Sequence, residues 1–134
     1  MKKVLAFGTF DGLHEWHKDF LRQAKECGDH LTVVVGRDST VERIKKQLPK
    51  FNENERLAEV EQNEFVDFAR LGNEGVSPYQ VLGEVLPDII CLGYDQTYFV
   101  DKLEEKIKEF GLNIEIKRMV AFKPEIYKSS IINK

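Results

Sequence analysis

Cysteine is scarce in this sequence. Cys27 and Cys91 are the only two, far apart along the chain and in no metal-ligand spacing, so no disulfide framework is expected. They read as small core hydrophobes in a reducing compartment. Long apolar runs are also missing. The opening stretch Val4 to Phe7 is too short for a signal peptide or a membrane span. Positive charge is not in excess: 20 Lys and Arg stand against 23 Asp and Glu, a net charge of -3. No broad basic face is expected, which argues against general nucleic-acid binding. There is no internal repeat, low-complexity tract or linker. What remains, 42% apolar and 32% charged residues over 134 positions, argues against disorder and for one domain spanning 1–134. The expectation is a soluble cytoplasmic protein with no membrane partner.

Apolar runs bounded by turn residues mark five strands: Lys3 to Phe7, Leu31 to Val35, Phe65 to Leu71, Asp88 to Leu92 and Asn113 to Arg118. Helical periodicity falls between them. One helix runs to about Glu26 with Phe20, Leu21 and Ala24 on one face and Gly28 as its stop. Others cover Ser39 to Lys46, Glu53 to Gln62, Ser77 to Leu86 (Ser77 as cap, Pro78 first) and Asp101 to Phe110; a last one begins at Ser129. Strands apolar on both faces, alternating with helices, predict an α/β fold. It is a Rossmann-like, doubly wound parallel sheet of five strands with helices on both faces. Ligands bind such sheets at the carboxyl ends of the strands, near the switch in strand order. The loops after the first, second and fourth strands should therefore meet.

The first of these loops reads GTFDGLHEWH, residues 8–17. Gly8 and Gly12 let backbone amides approach a ligand closely, and the helix start adds unbonded N–H groups and partial positive charge. His14 and His17 lie one turn apart and can project to that end. Donors placed so would stabilise charge developing in phosphoryl or nucleotidyl transfer. The competing readings are a purely structural pair and a metal site. Two histidines three apart lack a third ligand nearby, and helical zinc pairs more often sit four apart, so no protein metal site is expected. Bland readings stand beside the other candidates as well. Lys45 and Lys46 can be a solvated helix face, Arg56 a partner of helical carboxylates, Asp95 and Gln96 turn residues, and Ser129 a cap.

GTFDGLHEWH resembles the GTFD-x-x-H-x-G-H signature of the cytidylyltransferase-like nucleotidylyltransferases. RDSTVERIKKQLP, NENERL, LGNEG, PDIICLGYDQ and IYKSSII follow in family order, so the resemblance covers nearly the whole chain. The RDSTV and LGYDQ runs look most like the archaeal-type FAD synthetase branch. The resemblance implies a transferase that joins a nucleoside monophosphate from an NTP to a phosphorylated acceptor, releasing pyrophosphate. FMN adenylylation to FAD is the first candidate. The alternatives are a cytidylyltransferase of the glycerol-3-phosphate type, and a nucleotide-binding homologue without turnover. It implies ATP or CTP brought with Mg²⁺, and it allows a homodimer. By position, His14 and His17 would contact the triphosphate, with Lys46 or its neighbour Lys45 reaching the phosphates. Gly8, Thr9 and Phe10 would lie beside the nucleotide. Asp11, Arg37 and Lys45 would serve the acceptor. Asp95 would face the nucleotide or its sugar, and Ser129 and Ser130 the β- and γ-phosphates.

Two departures stand out. Trp16 occupies the position of the signature's last glycine. An indole there rotates aside, stacks on a base or blocks the pocket; a blocked or narrowed specificity is expected. In the last motif, Lys128 stands where serine or threonine is usual and Ile131 where lysine is frequent; Lys123 is the nearest candidate for an arginine that often precedes it.

Overall fold

The computed structural model describes residues 1–73, 78–93, 96 and 102–120, without the side chains of Ile44 and Pro78. Five strands form one sheet: β1 (Lys3–Gly8), β2 (His30–Val35), β3 (Phe68–Leu71), β4 (Ile89–Leu92) and β5 (Glu115–Arg118). Their order is β3-β2-β1-β4-β5, and every neighbouring pair is parallel. Between them lie α1 (Glu15–Glu26), α2 (Asp38–Lys45), α3 (Glu53–Glu61), a short 3-10 turn at Pro78–Gln80 continuing into α4 (Val81–Val85), and α5 (Leu103–Glu109).

The two faces of the sheet are covered separately, because alternate residues of a strand point to opposite sides. Val4 and Ala6 of β1 pack with Leu21 and Ala24 of α1 and Val60 of α3. Leu5 and Phe7 pack on the other face with Val81 and Leu82 of α4 and Leu103 and Ile107 of α5. Each fully buried aliphatic side chain contributes roughly 1.5–3 kcal/mol, so both layers are needed to hold the central strands. The exposed edge strand β5 carries Glu115, Lys117 and Arg118, charges that discourage further strand pairing. Of the two expected core cysteines, Cys91 is buried and Cys27 packs partly buried against the same core, its thiol donating to the Gln23 carbonyl at 3.5 Å; burial pushes the Cys91 thiol well up.

Several boundaries differ from the sequence reading. β3 is shorter than the run Phe65 to Leu71, because Asn63 draws the chain into a turn. Its side-chain oxygen accepts from Phe65 N–H at 2.9 Å and its carbonyl from Val66 N–H at 3.2 Å. Phe65 and Val66 pack on the core from that turn. α2 stops at Lys45, since Lys46 turns left-handed with φ 66°. α4 ends where Leu86, φ 54°, does the same before Pro87. The Ser77 cap and the helix from Ser129 lie outside the described residues.

Strand order reverses between β1 and β4: the chain steps from β1 outward through β2 to β3, then returns to lay β4 on the other side of β1. The crevice at the carboxyl ends of these two strands is where such sheets take ligands. The loop after β1 opens onto it.

Candidate functional site

The loop from Gly8 to His14 is built from side chain-to-backbone contacts. Phe10 is in the left-handed region, φ 53°, which turns its ring back into the core. A Cβ on Gly8 would come within 2.6 Å of that ring. The space that Gly8 leaves is thus taken by Phe10 and not by open access to a ligand. Gly12 is required by conformation, with φ 85°. Phe51 and the His14 imidazole flank it, 3.5 and 3.7 Å from where its Cβ would stand.

His14 is the residue before α1, with extended backbone, and not its first helical residue. Its carbonyl accepts from the N–H groups of His17 and Lys18, and its own N–H donates to His17 Nδ1 at 3.1 Å. That bond makes Nδ1 an acceptor, so neutral His17 carries its proton on Nε2. Burial first, then the charges of His14 and Lys45, outweigh a backbone hydrogen bond with Gly12 and the Asp11 carboxylate, and together they lower the His17 pKa to about 4. His17 is therefore a neutral donor at physiological pH. The Lys45 ammonium is within electrostatic reach of it.

Trp16 lies nearly parallel to the His14 ring, centroids 4.5 Å apart and planes 18° from parallel, and 5.3 Å from His17. The indole is 50% exposed. It is neither buried in the core nor turned away from the histidines. Phe10 meets His17 edge-on at 5.7 Å. The N-terminus of α1 thus presents two imidazoles and an indole above helical N–H groups that have no preceding carbonyl to bond.

The other predicted residues divide. Asp11 accepts from Lys50 N–H with one carboxylate oxygen (2.7 Å) and from Phe51 N–H with the other (2.9 Å). Burial raises its pKa, but those two bonds and the charges of Arg56 and Lys50 outweigh it and hold the carboxyl below 3.8. Arg37 donates to the Gly72 carbonyl and to Glu53. Lys46 is exposed at the end of α2. Asp95, Ser129 and Ser130 lie outside the described residues.

Arg56 is the residue that the sequence reading underrated. It is 1% exposed. Its guanidinium donates to the Thr9 carbonyl (2.8 Å), the Phe51 carbonyl (2.9 Å) and Asp38 (2.7 Å). It joins the loop after β1 to the start of α2 and the loop before α3, so the loops after the first and second strands do meet. The signal was present. Asn52 and Glu55 form a capping box at the start of α3, and Arg56 stands four residues before buried Val60, on the inner face of the helix.

Among the described residues, no group of three or more His, Cys, Asp or Glu could hold a metal ion. Nor is any helix there long and apolar enough to cross a membrane.

Residues 5–134 match the family model described as cytidylyltransferase-like. A protein named FAD synthase from Thermoplasma volcanium is 42% identical over 134 residues, covering all of this chain and 93% of that one. Another of that name, from Aciduliprofundum boonei, is 44% identical over 119 residues, covering 89% of this chain and 78% of the other. A crystal structure described as the lipopolysaccharide core biosynthesis protein from Thermoplasma volcanium superposes with a TM-score of 0.83 at 43% identity, covering 91% of this chain and 98% of that one. The fold, the histidine-bearing loop at its switch point and a likeness along the whole chain agree: the protein belongs to the cytidylyltransferase-like family of nucleotidyltransferases.

Proposed function

We propose that the protein adenylylates FMN with ATP, forming FAD and pyrophosphate. The observation that carries this reading is the 42% identity, across the full chain, to a protein named FAD synthase. The geometry at α1 supports the chemistry. An FMN phosphate oxygen attacks the α-phosphorus of ATP, the bond to the β-phosphate oxygen breaks, and pyrophosphate leaves. No group of the protein has to become covalently attached. It has to align two phosphates and stabilise the charge that builds on the transferring group.

Neutral His17 exchanges its backbone bond at Gly12 for an oxygen of the α-phosphate, to which Nε2 donates, with His14 beside it and the N–H groups of α1 behind. Lys45 adds positive charge close by, and Lys46 follows it in the same segment. Thr9 and Phe10 border the nucleotide through their backbone, and Gly8 stands at the end of β1 beneath them. Asp11 and Arg37 shape the acceptor side indirectly, by fixing the loops that carry Phe51 and Gly72. Asp95, Ser129 and Ser130 are assigned to the sugar and the terminal phosphates on the strength of the motif order. Enzymes of this kind take their nucleotide with a divalent metal. Here that ion is proposed to be Mg²⁺, held by triphosphate oxygens and neutralising charge on the departing pyrophosphate. Trp16 narrows specificity, because its ring lies over His14 where the family signature leaves the space of a glycine.

The test is pyrophosphate release with ATP or CTP against FMN or glycerol 3-phosphate, with FAD read by chromatography. FAD formed from ATP and FMN supports the proposal. Turnover only with CTP and glycerol 3-phosphate overturns it in favour of the smaller acceptor.

A further inference from the structure

Gln96 lies in the turn that follows β4. It is 8% exposed. Its Oε1 accepts from Gly93 N–H at 3.1 Å, and its own N–H donates to the Gly93 carbonyl at 3.1 Å. Arg118 staples the same turn, donating to the carbonyls of Gly93 (2.6 Å) and Gln96 (3.0 Å). The amide's orientation is therefore fixed. A flip would set its NH₂ against the Gly93 N–H, donor against donor. The other end of the amide must be the NH₂, and that nitrogen is buried with no hydrogen-bond partner among the described residues. Such a group costs about 1–3 kcal/mol if left unserved, and native chains leave few.

Its place in the fold says what could serve it. Ala6 of β1 pairs with Cys91 of β4, so Gly93 stands two residues further on, level with Gly8. Gly93 and Gln96 thus stand at the carboxyl end of β4, beside the switch point. We infer that the Gln96 side-chain NH₂ is a specificity-determining donor for a neutral acceptor atom, a ring nitrogen or a ring carbonyl, on one of the two heterocycles. The inference rests on the proposed reaction and deepens it. A phosphate fits this position less well. The neighbouring guanidinium is bound to backbone carbonyls, and a buried phosphate without a cation of its own is costly. The transferring phosphate is assigned to α1 and the terminal phosphates to Ser129 and Ser130, so the Gln96 amide is left to read a ring.

The experiment compares Gln96→Glu, which keeps the acceptor to Gly93 and removes the donor, with Gln96→Met. Calorimetry measures ATP binding with Mg²⁺ and FMN binding separately, and steady-state kinetics follows FAD formation. The expected result is at least tenfold weaker binding of one substrate in both variants, with the other within threefold. The affected substrate identifies the ring. In the wild type, ATP analogues with a ring nitrogen replaced by C–H, and FMN analogues with a ring nitrogen or carbonyl oxygen replaced, should include one that loses about as much. That loss should not recur in the Gln96 variants. Both substrates binding within threefold in both variants would overturn the inference. If neither variant folds, the wild-type analogue series decides alone, and an absence of any tenfold loss overturns it. A wild type that binds ATP and FMN but forms no FAD counts against the proposed reaction, while the binding arms still judge Gln96.

Discussion

His17 carries two consequences at the scale of a single residue. As a donor to the transferring phosphate, its loss should be felt in turnover: His17→Ala is expected to lower kcat about 10²–10³-fold, the usual effect of removing one such donor. The bond from His14 N–H to its Nδ1 goes too, so a stability loss of about 1 kcal/mol should accompany it. Its titration gives the second. The folded protein refuses the proton until about pH 4, whereas an ordinary histidine takes it near 6.5. Between those values the unfolded chain binds more protons, so stability is full above pH 6.5 and falls as pH drops toward 4. Denaturant midpoints at pH 7, 5.5 and 4.5 should show that fall, and His17→Asn should flatten it. Asp11, Asp19 and Asp67, all held below 3.8, add their losses only at lower pH. A midpoint in the parent that does not move between pH 7 and 4.5 would contradict the neutral, buried imidazole. Trp16 is the other residue with its own test. It is the only tryptophan, so ATP with Mg²⁺ should change the protein's fluorescence directly. Trp16→Gly should raise the ratio of ATP to CTP turnover on the order of tenfold, because opening a narrowed pocket helps the larger purine more than the pyrimidine. An unchanged ratio would remove Trp16 from specificity.

Among the elements, α3 does more than cover the sheet. Through Arg56 it holds the loop that bears the histidines. Arg56→Met leaves Thr9, Phe51 and Asp38 without their donor, at an expected cost of about 3–5 kcal/mol. Arg56→Lys cannot fork toward three acceptors and should recover only part of it. Denaturant unfolding measures the cost, and a higher KM for ATP in the lysine variant shows the loop displaced. This is also where the sequence was hardest to read. The first helix and its inward face were legible, since Phe20, Leu21 and Ala24 recur at helical spacing. The capping histidine, the Phe10 ring folded against Gly8 and the two bonds of Asp11 were not. Each depends on a single side chain meeting backbone or a ring brought close by the fold, and such contacts leave no period in the sequence. β3 was misjudged for a local reason: Phe65 and Val66 look like strand residues, but the Asn63 turn sets their direction.

For the whole molecule, the five parallel strands and two covering layers were legible because the central strands are apolar on both faces, which only a doubly covered sheet accommodates. Strand order was not written in any one segment; it follows from β4 returning to the free side of β1. That return has a kinetic consequence. β1 meets β2 across one helix, but its contact with the β4 end comes from far along the chain: Lys3 N–H bonds Asp88 over a separation of 85 residues. Local pairing forms early and distant pairing late. The β1-α1-β2 unit should gather first, and the second wall of the crevice should close last. In refolding followed by pulsed hydrogen exchange, amides of β1 bonded to β2 should gain protection before those of β4 and β5. A chain that has also docked α3, and with it Arg56, would display its histidine loop and yet lack the turn that holds Gln96. Its affinity for phosphate should therefore mature before its discrimination between rings.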